Sequence, residues 1–294
     1  MIGKDIPITR EDIRVLTESS DWRGALMLAA NWGLIIGAFA LAAVWPNPVT
    51  AVAAILILGG RQLGLAVLMH ECAHYSFFKS KDVNVFVGRW LCAWPVYLSY
   101  DAYRPYHLGH HAHAGTEKDP DLKLVHAYPV TKDSLKRKLF RDVTGQTAFR
   151  DFTMLWKRAK GTQKALILAW PLLAGAVLWA FGALWVLTLW YVAYFCVFPV
   201  LTRIRLIGEH GIAPDRLNKD ARLNTATVRP NILERLLIAP NNVSFHLEHH
   251  LIAMVPAYSL RRFHRVLQER GYYDGHDSVV DGYKEVLRRA VKTA

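Results

Sequence analysis

Cysteine is scarce in this 294-residue chain: Cys72, Cys92 and Cys196 are all it has. Their spacing fits no thiolate metal site, and three thiols cannot build a disulfide framework, so they suit a reducing compartment or inert membrane positions. Charge is also scarce, at 20% of residues against 52% hydrophobic ones. Both values lie on the apolar side of an ordinary soluble domain. With 10 Trp, 12 Tyr and 12 Phe, intrinsic disorder is excluded. No Gly-rich dinucleotide fingerprint, iron–sulfur cysteine cluster or fused haem-binding module is present. Internal repeats and low-complexity tracts are lacking too. The polar first 23 residues show no apolar run with a cleavage site, hence no expected signal peptide; Thr17 or Ser20 is a candidate cap for a short helix there.

What is present is organised in uncharged blocks. Residues 24–45 form a run of 22 without Asp, Glu, Lys or Arg, long enough at about 1.5 Å per residue to cross a bilayer core of roughly 30 Å. Trp45-Pro46-Asn47-Pro48 reads as a tight turn. A second apolar run, 49–69, is interrupted by Arg61 and Gln62, with Arg61 expected to face protein, snorkel, or support a buried site. Residues 165–202 are 38 uncharged positions, enough for two spans turning near Gly182, with Pro171 and Pro199 as kinks. The expected spans are therefore 24–45, 49–69, 165–181 and 184–202. Val83–Tyr100 reads as an interfacial or re-entrant helix, with a fifth span as the alternative.

The net charge of +12 lies outside the links at 46–48 and 182–183, in the N-terminal segment, in 70–164 and beyond Arg203. An even span count puts these regions on one side, and the positive-inside rule makes that side cytosolic. The expected fold is an all-α integral membrane protein, a single domain over 1–294. Its cytosolic helical cap comprises 70–164 and 203–294 and carries a histidine-rich dimetal site. Both termini are expected in the cytosol, at the inner membrane if the source is bacterial. No nucleic-acid partner is expected.

All 13 histidines fall in the two cap regions. Three clusters stand out: His70-Glu-Cys-Ala-His74, His107-Leu-Gly-His110-His111 and His246-Leu-Glu-His249-His250. On helices, positions i, i+3 and i+4 share a face, so each cluster can aim imidazoles at one centre. One such pair means little. Eight together would cost desolvation and mutual repulsion unless neutral rings donate lone pairs to metal. They exceed the needs of one tetrahedral zinc and suit two metals. Ligand type alone admits iron, zinc, copper or nickel. A lipid-facing site suited to oxygen activation favours iron, because zinc has no redox chemistry.

The ordered set HECAH, HLGHH and HLEHH resembles the three histidine boxes of the membrane fatty-acid desaturase and hydroxylase superfamily, from the first span to about Pro256. The resemblance implies four spans and a cytosolic centre of two Fe ions that uses molecular oxygen. It implies His70, His74, His107, His110, His111, His246, His249 and His250 as ligands. His210, shortly after the last span, matches a further family ligand. Leu206 stands where the stearoyl-CoA branch has a water-holding Asn, a departure that points to another branch.

His113 falls off the ligand face and reads as a supporting residue. Glu71, Glu248 and Glu209, with Glu117, Asp119 and Asp121, are candidates to accept a ligand ring proton. Asn241 and Asn242 are candidates to cap the last-box helix or orient a ligand, and Arg104 to neutralise a carboxylate. His126, His264 and His276 look isolated. Trp90, Trp94, Tyr97, Trp185 and Tyr191 are candidate lining of an apolar tunnel running from the metals into the bundle. Leu251–Pro256 reads as a membrane contact or substrate entrance.

The implied activity is oxygen-dependent desaturation of a fatty acyl chain or related lipid. The alternative is hydroxylation or oxygenation of a lipid, alkane or terpenoid; a zinc-dependent membrane hydrolase or a transporter ranks lower. Electrons must come from a separate ferredoxin, rubredoxin or cytochrome.

Overall fold

The computed structural model describes residues 6–292; the expectations placed on residues 1–5 and 293–294 lie outside the described residues. A short helix α1 (Arg10–Leu16), closed by Thr17, precedes the long α2 (Asp21–Val44), whose cap is Ser20. Asn47 accepts from the backbone N–H groups of Val49 and Thr50 at 3.0 and 3.1 Å. Pro48 then supplies a pre-set φ at the first position of α3 (Pro48–Ala73). This cap makes the 46–48 link tight enough to return α3 alongside α2.

α3 is the central rod. Its 26 residues exceed what a bilayer needs, so one continuous helix carries its last turn past the apolar zone to His70. Small residues let its neighbours come close. A Cβ on Gly64 would lie 2.1 Å from Asn31 Oδ1, and one on Gly59 would lie 2.4 Å from Val197. Arg61, buried between them, donates to Asn31 Oδ1 at 3.4 Å and to the Leu236 carbonyl. It therefore faces protein, away from the histidines. Gln62 donates to the Trp190 carbonyl at 2.9 Å.

The segment 83–100 is no fifth span. It breaks into α4 (Lys81–Phe86), a π-helical stretch and one 3-10 turn, ending at Tyr97 with φ 57°. The cap continues as α5 (Tyr100–His113), α6 (Lys132–Val143) and α7 (Gln146–Arg158). α8 (Thr162–Ala180) turns at Gly182, φ 67°, into the helical run α9 (Leu184–Gly211). α2, α3, α8 and α9 are the four described helices long and apolar enough to cross a membrane.

Beyond α9 the chain forms α10 (Ile232–Leu237), α11 (His246–Leu251), α12 (Ala257–Glu269) and α13 (Gly282–Arg289). The one described sheet has two parallel strands, β1 (Thr227–Arg229) and β2 (Val279–Asp281), with Val228 opposite Val280. It pins the C-terminal segment against the end of α9 through Ala226 N–H to Glu209 O, 2.8 Å. The core divides between the membrane bundle around Trp190 and smaller cap clusters around Tyr283 and Phe263.

Replacing Gly64 by Ala is expected to cost about 1–3 kcal/mol, because the added methyl meets a buried, hydrogen-bonded Asn31. Gly33→Ala, where an added Cβ meets nothing within 4 Å, should not destabilise and is expected to add up to about 1 kcal/mol through helix propensity. Thermal unfolding of both variants in detergent checks the pair.

Candidate metal centre

Four backbone segments deliver nine imidazoles. α3 supplies His70 from its last turn and His74 from its C-cap; α5 supplies His107, His110 and His111; α11 supplies His246, His249 and His250. His210 comes from a π-helical turn, Ile207–Gly211, at the end of α9. Widening a helix by one residue per turn re-aims a side chain, which is how such turns serve functional sites.

The rings sort into two groups that cut across the boxes. His70, His74, His107, His111 and His249 form one; His110, His210, His246 and His250 form the other. On α5 the i,i+4 pair His107 and His111 enters the first group while His110 enters the second. On α11 the i,i+4 pair His246 and His250 enters the second while His249 enters the first. Each of these helices thus bridges both groups.

Chemistry decides what such groups can hold. His74 Nε2 lies 2.8 Å from His107 Nε2, which lies 3.1 Å from His111 Nε2, which lies 3.0 Å from His249 Nε2. In the second group His210, His246, His250 and His110 are linked in the same way at 3.0, 3.2 and 3.2 Å. His70 Nδ1 is bonded to Glu71 at 3.0 Å, His110 Nδ1 to Asp119 at 2.7 Å and His210 Nδ1 to the Asn224 carbonyl at 3.1 Å. A neutral imidazole has one proton. In these three rings it sits on Nδ1, leaving Nε2 as a bare lone pair. His70 Nε2 is buried with no hydrogen-bond partner. Bare lone pairs about 3 Å apart repel unless a cation lies among them. Metal–imidazole bonds of about 2.0–2.1 Å at right angles place nitrogens roughly 3 Å apart. The residues fit two metal ions.

Burial, then the neighbouring imidazoles, pushes His107, His246, His249 and His250 well below the ordinary histidine pKa. Neutral rings are the form that ligates. His110 is held above its ordinary value: burial lowers it, but the hydrogen bond it donates to Asp119 and the charge of Asp121 outweigh that.

The surrounding shell departs from several expectations. Glu71 accepts from His70 Nδ1 and from the Ala257 N–H at 2.7 Å, tying α12 to α3. Glu209 is clamped by Arg205 at 2.5 and 2.8 Å, with one oxygen 3.6 Å from His246 Nδ1. Asp121 accepts from Tyr106 and Glu117 is exposed. Glu248 does not serve a clustered ring. It accepts from Thr227, Tyr273 and His264 Nδ1, so buried His264 is no isolated residue. The reason is direction: α11 turns Glu248 away from the face that carries its histidines.

Arg104 neutralises no carboxylate among the described residues; it donates to the Ala73 carbonyl at 3.0 Å and lies over the Tyr75 ring. Asn241 and Asn242 do not cap α11. Both adopt left-handed backbone, and their side chains bond the carbonyls of Gly64 and Ala257 at 2.9 and 3.0 Å. His113 is exposed and outside both groups, as is His126.

Residues not expected from sequence are Arg205, Asn224 and Tyr103, which stacks on His107 at 5.2 Å between ring centres. Arg205 was readable as an i,i+4 partner of Glu209; Asn224 acts through backbone and left no signal. Trp90, Trp94 and Tyr97 line a cavity of about 440 Å³ that reaches the first turn of α5, with no histidine in its wall. Tyr191 stands behind it, its hydroxyl 2.9 Å from that of Tyr97, whereas Trp185 is 42% exposed outside it. Within Leu251–Pro256, Met254 is exposed while Ile252, Val255 and Pro256 are buried.

Four apolar helices of spanning length beneath two all-imidazole metal-type groups define a membrane-embedded protein of the histidine-rich oxidoreductase type. The fatty acid desaturase family profile matches residues 46–280, so the chain belongs to that family. It is 28% identical to dihydrorhizobitoxine desaturase of Bradyrhizobium elkanii, over 85% of this chain and 76% of that one. With the sn-1 acyl-lipid omega-3 desaturase (ferredoxin) of Synechocystis sp. it shares 26% over 88% and 80% of the two chains. With the sn-1 oleoyl-lipid 12-desaturase of the same organism it shares 25% over 70% and 65%.

Asp119→Asn removes the charge on His110 Nδ1 and is expected to weaken metal retention by about 10–100-fold. Arg14→Gln, exposed on α1 and paired with Glu11, should leave it unchanged. Metal content after titration with a chelator distinguishes the two.

Proposed function

We propose that the chain is a di-iron enzyme that desaturates a fatty acyl chain or related lipid, using molecular oxygen. The observation that carries the reading is the pair of imidazole groups, five and four rings, held by a member of the fatty acid desaturase family. His70, His74, His107, His111 and His249 would hold one iron, and His110, His210, His246 and His250 the other. Bound there, the irons supply the redox capacity to activate oxygen for attack on an unactivated C–H bond.

The protein's own part is positional. Glu71, Asp119 and the Asn224 carbonyl hold rings in the tautomer that offers Nε2. Seven of the nine rings are buried, which keeps bulk water out and favours the neutral form, with His110 drawn the other way by Asp119 and Asp121. Forming one double bond consumes one dioxygen, two electrons and two protons, and releases two waters. A separate ferredoxin, rubredoxin or cytochrome supplies the electrons; one of the similar proteins carries ferredoxin in its name. The three relatives named above are all desaturases, which favours loss of the second hydrogen over oxygen transfer in a hydroxylation. Nine imidazoles exceed the need of a single-zinc hydrolase. The whole chain acts as one domain, with both termini and the metal centre cytosolic under the positive-inside rule.

Purified active protein should contain two irons per chain, and a lipid-producing host expressing it should accumulate a product two mass units lighter than its precursor. One metal per chain would overturn the centre; a product heavier by one oxygen would replace desaturation with hydroxylation.

His210→Ala should lose one iron and abolish oxidation, whereas His113→Ala should keep both irons and most activity. Iron stoichiometry with metal-edge spectroscopy on both variants is the check. Unchanged iron coordination in the His210 variant would defeat its assignment.

A further inference from the structure

α6 has the sequence KDSLKRKLFRDV, with five basic and two acidic residues. Its apolar side is anchored by Leu135, buried, and Leu139, which pack into the cap core. The acidic Asp142 is fully buried and is spent on Arg203, whose guanidinium it accepts from on two sides, and on Thr147 at 2.6 Å. Lys136, Arg137 and Arg141 are exposed and their cationic groups have no hydrogen-bond or ion-pair partner among the described residues. Arg150, on α7, is paired with its exposed neighbour Asp151.

These cations line two adjoining hollows. One, of about 520 Å³, is formed by Lys136, Arg137, Phe140, Arg141 and Gln146. The other, of about 220 Å³, is formed by Arg141, Gln146, Thr147, Arg150 and Arg203. Arg141 and Gln146 belong to both, so the hollows form one cationic groove. Its level relative to the bilayer can be read from the chain: Arg203 is the first charged residue after 38 uncharged ones. The groove therefore sits at the membrane–water boundary. Large apolar side chains on the same two helices stay exposed there: Phe140 at 61%, Val143 at 53% and Phe149 at 66%. Cations facing a groove at the boundary, flanked by aromatics with no protein cover, match a ligand that is anionic at its head and apolar below.

We propose that this α6–α7 groove binds the phosphate headgroup of an anionic phospholipid from the adjacent leaflet. Arg141, reached from both hollows, contacts the phosphate, Lys136 and Arg137 add charge, and Phe140 lies against the acyl region. The flanking apolar side chains favour a lipid phosphate over free phosphate. The site is independent of the metal centre, so it stands or falls without the proposed oxidation.

The test is native mass spectrometry of the full chain in detergent, titrated with phosphatidylglycerol or phosphatidylcholine. Wild-type protein is expected to retain phosphatidylglycerol preferentially. Arg137→Gln combined with Arg141→Gln should weaken that binding by roughly fivefold for each charge removed. Arg261→Gln combined with Arg262→Gln, on the exposed face of α12, removes the same charge elsewhere and should bind as wild type. If the groove double variant does not fold, Lys136→Gln alone carries the test with a single-charge loss. Equal retention of the two lipids, unchanged binding in the groove variants, or an equal loss in the α12 control would overturn the proposal. Displacement of the lipid by millimolar inorganic phosphate would also overturn it, as the mark of a free-anion site.

Discussion

Bare imidazole nitrogens set about 3 Å apart are the constraint on which the rest of the cap depends. Nine rings meet in two groups, and in the rings whose Nδ1 is engaged the inward nitrogen carries no proton. Such an arrangement is unfavourable without cations and strongly favourable with them. The polypeptide must therefore hold the rings against their own repulsion while the site is assembled. It does so by fixing their outer edges, through Glu71, Asp119 and the Asn224 carbonyl. These contacts come from α3, from the loop after α5 and from the short helical turn before β1, so three regions distant in sequence lock one centre.

The architecture follows from that requirement. α3 must be rigid and longer than the membrane, because its final turn carries His70 into the cap. Small residues along it allow α2 and α9 to pack closely enough to fix its axis. Its polar positions are spent on structure: Arg61 and Gln62 bind backbone carbonyls of α10 and α9. At the other end, α9 changes pitch over Ile207–Gly211, so that His210 meets α11 and Glu209 meets Arg205. The buried Glu248–His264–Tyr273 cluster then ties α11 to α12, stiffening the helix that serves both groups.

Much of this was legible in the sequence. The four spans were marked by apolar blocks whose lengths match a bilayer, and the structure moves their ends by up to four residues, apart from the last helix, which runs on to Gly211. The histidines were legible because i, i+3 and i+4 spacing confines rings to one side of a helix. Val83–Tyr100 could be denied the status of a full span only by its broken backbone, since its apolar composition suited either reading. Asn241, Asn242 and Arg104 misled because their polarity suggested partners near the metals. Their chosen partners are main-chain carbonyls, which no side-chain pattern encodes.

The sequence by itself determined the membrane helices, through composition, and the grouping of imidazoles on one face of each helix, through local spacing; the family and the place of His210 among the rings came from the resemblance of its histidine motifs. Tertiary structure alone decided how the rings divide. The 100° step between successive helical residues sends His110 and His249 toward the opposite group from their box neighbours, but which group they join depends on the crossing of α5 and α11. It also decided which carboxylate serves which ring, because Asp119 reaches His110 whereas Glu248, inside its own box, reaches His264. Local periodicity fixes the direction of a side chain relative to its helix; only packing fixes the direction of the helix.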